Sequence, residues 1–180
     1  IKNLVFDVYA QVYTQEIESN SPYFLAGATD EAQYALESGA VNNYVNGGWS
    51  PANPNATIWN KSYTAIAEAC MYLEKIHQTD ISEWEHNANY DNWIRQMEMF
   101  PYELRFLRAY FYYGIVKRYG GVPIIDKVQD PTADPETLKI PRSTEYDCWK
   151  FIYEDLKYAM TYMSDDKTQV YRANRYAAAA

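Results

Sequence analysis

The apolar positions of this chain fall into helical stripes separated by long polar stretches. Ile1, Val5, Val8 and Val12 share one helical face, with Tyr9 and Tyr13 beside it, and predict a first helix over residues 1–17. Trp59, Tyr63, Ile66, Cys70, Leu73 and Ile76 recur at helical spacing and predict a second over 57–77, with Thr57 as N-cap. A third is expected over 92–119, bent or broken at Pro101, where a backbone donor is missing. It stops at Gly120 and Gly121, with Lys117 and Arg118 set against its C-terminal dipole. Thr144 and Asp147 form a capping box for a fourth helix over 143–163, whose stripe is Trp149, Ile152, Leu156, Ala159 and Met163. Residues 172–180 open a fifth, and the domain is expected to continue past residue 180.

Between these lie two irregular stretches. Residues 19–56 are rich in Asn, Gly, Pro and Ser, with at most a short helical piece near 30–37. Residues 120–142 hold four of the eight prolines and read as an extended connector. Long structureless segments in a compact domain are often functional. Residues 77–91 are polar but carry Trp84 and Tyr90.

The third helix is apolar on two rows. Leu104, Leu107, Phe111 and Ile115 form one, and Phe106, Tyr110, Tyr113 and Gly114 the other. A helix apolar on two sides has neighbours on two sides, as an inner helix of a layered array does. Its arginines are expected to lie over aromatic faces or to cap carbonyls. The aromatics from Phe106 to Tyr113 are assigned to packing. The spacing of helix starts suits helix–turn–helix pairs stacked as in tetratricopeptide arrays, although the usual tetratricopeptide signature is absent. The fold class is therefore all-α, with paired helices in a superhelical array and long decorating loops.

Composition narrows the function. The chain has 180 residues, a net charge of −8 and 48% apolar content, enough for one globular domain with a core. No basic stripe is present to neutralise phosphates, which argues against nucleic acid. No apolar run is long enough to span a membrane, and any export signal would lie outside this chain. Nineteen tyrosines stand out, because each offers a rigid apolar face with a polar tip. Cys70 and Cys148 each fall in a predicted helix without a partner at metal spacing, and read as small buried hydrophobes.

Catalytic constellations are thin. The two histidines, His77 and His86, show no metal spacing and read as surface residues. There is no nucleophile elbow and no phosphate-cradling glycine loop. The acidic groups Asp30–Glu31, Asp80–Glu83–Glu85, Asp130–Asp134 and Asp165–Asp166 read as solvated surface charge, with nothing to set them at a glycosidase separation. Asp30 and Glu31 are alternatively caps or loop anchors. Calcium at Asp130–Asp134 is a further option. No cofactor is implied.

One block is specific. The segment ELRFLRAYFYYGIVKRYGGVPII (103–125) resembles the characteristic stretch of the SusD/RagB family, through Glu103, Phe106, Leu107, Arg108, Ala109, Tyr119, Gly120, Gly121, Val122 and Pro123. Three further blocks agree in order: TDEA (29–32), IWNKSYTAIAEACMYLEKI (58–76) and IPRSTEYDCWKFIYEDLKYAM (140–160). Cys70 stands where the family usually has Asn. YRANRYAAAA is similar to the start of the next family helix.

The resemblance implies an all-α fold of tetratricopeptide-like pairs, of which this chain would be the N-terminal third to half. It implies a lipoprotein on the outer face of the outer membrane of a Bacteroidetes-type bacterium, anchored through an upstream cysteine. It also implies a lid on a SusC-like TonB-dependent transporter that captures oligosaccharides, or peptides in some relatives, without catalysis. In that setting the sequons at Asn55 and Asn60 are chance.

Sugar capture needs a ring to stack on a pyranose face and polar groups to reach hydroxyls. Residues 42–56 supply Tyr44 and Trp49 with Asn43, Asn46 and Asn55, and Trp84 is a further candidate. The competing reading tucks Trp49 under its loop as local core. The rival functions are oligopeptide capture on the same scaffold, a soluble helical-repeat adaptor for a protein partner, and a glycoside hydrolase fragment.

Overall fold

A computed structural model describes residues 2–12, 25–33, 35, 40–53, 58–165 and 172–180. The chain forms two compact units, one of Ile1–Gln11 with Lys61–Ala180 and the other of Val12–Asn60. The helices are α1 (Lys2–Ala10), α2 (Trp59–Gln78), α3 (Tyr90–Tyr119), α4 (Glu145–Tyr162) and α5 (Arg175–Ala179). Short 3-10 turns occupy Leu25–Ala28, Ala40–Tyr44 and Ser82–Trp84. Among the described residues there is no β-strand, only an isolated bridge between Ser50 and Asn53. No described helix is long and apolar enough to cross a membrane. The protein is all-α.

Two helices are shorter than their stripes suggest. α1 stops at Ala10, where the Gln11 N–H turns back to the Val8 carbonyl at 3.1 Å. Residues 13–17 of the predicted span lie outside the described residues. α5 begins at Arg175 rather than 172, because the Asn174 side chain caps it by accepting from the N–H groups of Tyr176 and Ala177, both at 3.1 Å. The start of α4 follows its capping pattern: Thr144 Oγ1 accepts from the Asp147 N–H at 3.1 Å and donates to its carboxylate at 2.6 Å. Thr57 lies outside the described residues.

α3 runs through Pro101 without a break and is 30 residues long. Helices α3 and α4 pack antiparallel. Tyr102 faces Tyr158 and Tyr162, Tyr112 faces Phe151, and Tyr113 faces Trp149, with ring centroids between 5.2 and 5.8 Å apart. The row Leu104, Leu107, Phe111 and Ile115 is buried as expected. The second row is not continuous: Tyr113 is 47% exposed, and its neighbour Tyr112 takes the fully buried place.

Buried polar residues join the helices around this core. Arg108 grips Asp155 of α4 with two bonds, Nε to Oδ2 at 2.7 Å and Nη2 to Oδ1 at 2.9 Å. Its Nη1 also donates to the Asp126 carbonyl at 3.2 Å and lies 3.6 Å from Cys70 Sγ of α2. The guanidinium stacks 4.9 Å from the Phe151 ring. Burial works against its charge, but the Asp155 carboxylate more than offsets it and raises its pKa. Glu103 is the second such group. It accepts from Tyr9 of α1 at 2.8 Å and from Arg172 Nε at 3.0 Å, and pairs with Arg172 Nη2 as well. The Tyr9 hydroxyl in turn accepts from the Ala173 N–H at 3.0 Å. Arg105 lies 4.2 Å from the Tyr158 ring and Arg118 reaches the Gly114 carbonyl at 3.5 Å, so these two behave as the sequence suggested. Arg108 does the same over Phe151 and at the Asp126 carbonyl, and adds the buried pair with Asp155 that the sequence did not suggest.

The exit from α3 explains its two glycines. Gly120 has φ +69°, which an L side chain rarely adopts. A Cβ on Gly121 would sit 2.2 Å from the Ser143 carbonyl oxygen. The turn is thus pressed against the start of α4, with Arg142 Nη1 donating to the carbonyls of Tyr119 and Gly121 at 3.0 and 3.1 Å. The connector is then strapped down, as Tyr63 donates to the Pro123 carbonyl at 2.7 Å and Tyr112 accepts from the Ile125 N–H at 2.6 Å.

Candidate functional site

Four of the predicted ligand-binding residues share one turn in the second unit. The 3-10 turn Ala40–Tyr44 ends with the N–H groups of Val45 and Asn46 both donating to the Asn42 carbonyl, at 3.0 and 2.9 Å. The chain then reverses at Gly47, whose φ is +77°. Asn46 Oδ1 accepts from the Gly48 N–H at 2.9 Å, and Trp49 N–H donates to the Asn43 carbonyl at 3.0 Å. Asn53 closes the far side by donating to the Gly48 carbonyl at 2.8 Å. Asparagine suits this work because its short amide can replace a backbone partner.

The turn leaves Trp49 outside. Its side chain is 59% exposed, with Tyr44 backing it at 5.3 Å between ring centroids and 59° between planes. The local-core reading of Trp49 does not match this exposure. Asn46 is partly committed, since its carbonyl oxygen holds the turn, and only its amide donors point to other use. Asn43 packs its Oδ1 where a Cβ on Gly48 would come within 2.7 Å. Asn55 lies outside the described residues.

A polar hollow of about 870 Å³ lies in the same unit, walled by Thr29, Asp30, Glu31, Gln33, Asn42 and Asn46. Sequence reasoning left Asp30 and Glu31 as surface charge or loop anchors. It is Thr29 that anchors this loop, its hydroxyl donating to the Ala26 carbonyl at 2.8 Å and accepting from the Glu31 N–H at 3.3 Å. The carboxylates of Asp30 and Glu31 are exposed on the hollow's wall. Gln33 was missed, because nothing in its spacing marks it.

Trp84 belongs to the helical unit. It ends the 3-10 turn Ser82–Trp84, is 56% exposed, and meets Trp93 of α3 edge to face at 6.2 Å and 75°. Trp93 went unremarked in the sequence because it sits inside a predicted helix.

The fourth helix corrects one assignment. Trp149 was placed in the apolar stripe of α4, but it is 37% exposed and shares an outer face with Tyr146 and Tyr153. Its indole N–H donates to Glu145 at 3.1 Å. Cys148, one residue earlier, takes the core position and bonds to Val122. Both cysteines are buried and unpaired with each other.

The remaining chemical options do not assemble. Asp130 accepts from the backbone and hydroxyl of Thr132 at 2.8 and 2.7 Å, and Asp134 accepts from the Glu136 N–H at 2.9 Å. Each closes its own turn, and no group of three metal-ligating side chains gathers among the described residues. The Thr132 hydroxyl and N–H hold the Asp130 carboxyl below its usual range. Asp80 is lowered likewise by the N–H and hydroxyl of Ser82. Both histidines are exposed, and His86 lies 3.5 Å from the Glu85 carboxylate.

Comparison with known proteins agrees with this architecture. The whole chain, residues 1–180, matches the SusD-like family described as starch-binding and associating with the outer membrane. A SusD-like protein of Bacteroides fragilis superposes with a TM-score of 0.71 at 26% identity, covering 98% of this chain and 32% of that one. A laminarin-binding SusD-like protein gives 0.70 at 22%, covering 98% and 36%. A surface glycan-binding protein A of Bacteroides fluxus gives 0.64 at 17%, covering 98% and 37%. The chain therefore spans about a third of the length of these solved relatives. No curated protein matches it.

Proposed function

We propose, because this chain belongs to the SusD-like family, that it contributes to non-catalytic capture of oligosaccharides at the cell surface. In this reading the whole protein is held on the outer membrane by an upstream lipid and delivers glycan to a SusC-like TonB-dependent transporter. The observation that supports it most is the exposed indole of Trp49. It stands on a hydrogen-bonded turn, backed by Tyr44, in the unit that also holds a polar hollow. A pyranose would stack its C–H face on Trp49, and the asparagine and carboxylate groups would take hydroxyls. A ring fixed before binding loses little freedom when ligand arrives.

Trp49→Ala in the full-length protein is expected to abolish or strongly weaken glycan binding while leaving the thermal midpoint nearly unchanged. A large loss of stability with binding retained would make Trp49 a structural residue. The second reading is oligopeptide capture, favoured by the exposed carboxylates of Asp30 and Glu31, which suit basic side chains. Titration with a peptide digest separates the two.

A further inference from the structure

The helical unit carries a second hollow, of different chemistry. It measures about 370 Å³ and is walled by Ile81, Trp84, Trp93, Met97 and Phe100. Its polar groups are few: Thr79, Gln96 and Lys2. A volume near the lower end of the roughly 300–1,000 Å³ found for small-molecule sites fits one sugar unit rather than a protein helix.

The hollow is built rather than incidental. Asp80 accepts from the Ser82 N–H and hydroxyl at 2.8 and 3.0 Å. Trp84 N–H donates to the Ile81 carbonyl at 3.0 Å, and Asn87 N–H donates to the Trp84 carbonyl at 2.9 Å. Asn87 Oδ1 then accepts from the Asn89 N–H at 2.9 Å, which leads into α3. This chain of bonds fixes the backbone that carries Trp84, whose ring meets Trp93 at 75° and is 56% exposed. Burying an indole in a core needs no such frame.

The lining sets the ligand. Hydroxyl groups facing Met97, Phe100 and Ile81 would lose water without gaining partners. A methyl group would gain by the same move. The rim then meets the polar remainder of the ring. Thr79 already donates to the Lys75 carbonyl at 2.8 Å, which leaves its oxygen to accept. The Gln96 side chain accepts and donates no hydrogen bond among the described residues, and Lys2 has no carboxylate partner there.

We infer that the Trp84–Trp93 hollow is a subsite for a methyl-bearing sugar, which places the methyl against Met97 and Phe100 and a ring face on Trp84. The methyl comes from a 6-deoxy sugar or from an N-acetyl group. This rests on the glycan reading above and adds the class of sugar.

The test titrates full-length protein with three oligosaccharides of equal length: one of unsubstituted glucose, one bearing 6-deoxyhexose, one bearing N-acetylglucosamine. A methyl-bearing ligand is expected to bind at least about threefold more tightly, as burial of a methyl-sized group predicts. The arm that shows the preference names the source of the methyl. The preference should vanish in Trp84→Ala and in Met97→Gln. Two variants guard against loss by misfolding, and thermal midpoints are read beside them. Sugars that bind without a methyl preference, or a preference untouched by Trp84→Ala, overturn the subsite and leave glycan capture standing. Self-association lost in Trp84→Ala would make the hollow a contact between copies and also overturn it. If no sugar binds the wild type, the glycan reading fails first and the subsite with it.

Discussion

In the helical unit, the polar groups that fix the structure are buried between helices, as Arg108 is on Asp155. In the loop unit they are asparagines closing turns near solvent, as Asn46 does for Gly48. The first kind of contact joins residues far apart in sequence, 47 positions for Arg108 and Asp155. The second joins neighbours, two positions for Asn46 and Gly48. The difference assigns the labour. Long-range buried pairs lock the register of helices, and local turns present side chains outward. Aromatics cross this division: Tyr112 and Phe111 are fully buried, but Trp84 and Tyr146 of the helical unit are exposed much as Trp49 is.

The contrast is broken most severely at the buried pair. The side chains of Arg108 and Asp155 are only 6% and 4% exposed. Arg108→Ala leaves the Asp155 carboxylate buried, with only the more distant Arg105 at 3.5 Å, and should destabilise by about 3–5 kcal/mol in denaturant titration. Arg108→Met combined with Asp155→Leu should lose far less, because no charge is stranded. Equal losses in both would mean that packing, not charge, sets the cost.

The glycines sharpen the comparison next. Gly121→Ala drives a Cβ into the Ser143 carbonyl and should cost about 1–3 kcal/mol, like other overpacked sites. Gly47→Ala meets no atom within 4 Å, so only its positive φ resists, at about 1 kcal/mol. Thermal melts of the two variants rank them.

A smaller effect is expected where α1 and α2 meet. Burial, then the nearby Asp7 charge, raises the pKa of Glu68, and its Oε2 is buried with no hydrogen-bond partner among the described residues. The folded state therefore holds this proton to higher pH than the unfolded state. Stability linked to Glu68 is highest at acid pH and falls as pH rises past the usual carboxylate range. Glu68→Gln should gain less than about 1 kcal/mol at neutral pH after solvent screening. That gain should fade on acidification, read as melts across pH. The smallest stability change belongs to Trp49→Ala, within about 0.5 kcal/mol, as for other exposed positions.

Much of the helical unit was legible from period alone. The second and fourth helices announce themselves by apolar steps of three and four, and the capping pair Thr144–Asp147 marks a start that the structure uses. What period hides is polarity inside the core. Glu103 and Arg108 look like surface charges on a stripe plot, yet both are buried because their partners, Tyr9, Arg172 and Asp155, come from distant segments. Trp149 was misplaced for the converse reason. An aromatic fits the apolar phase of α4, but the smaller Cys148 filled the core position beside Val122. In the loop unit, composition pointed to Trp49 and Tyr44, since Gly-Gly before and Ser-Pro after exclude a helix. It could not show that Asn46 serves the turn, because a local hydrogen bond leaves no pattern in sequence. Trp93 escaped because a predicted helix absorbs it, and Gln33 for want of any local signal.

The most direct test is calorimetric titration of full-length protein against a panel of neutral oligosaccharides and a peptide digest, with Trp49→Ala alongside. Heat from one sugar class at affinities on the order of micromolar to millimolar, lost in Trp49→Ala at unchanged thermal midpoint, is the expected result. Silence from every sugar with heat from the digest, or turnover of an oligosaccharide, would contradict glycan capture by this scaffold.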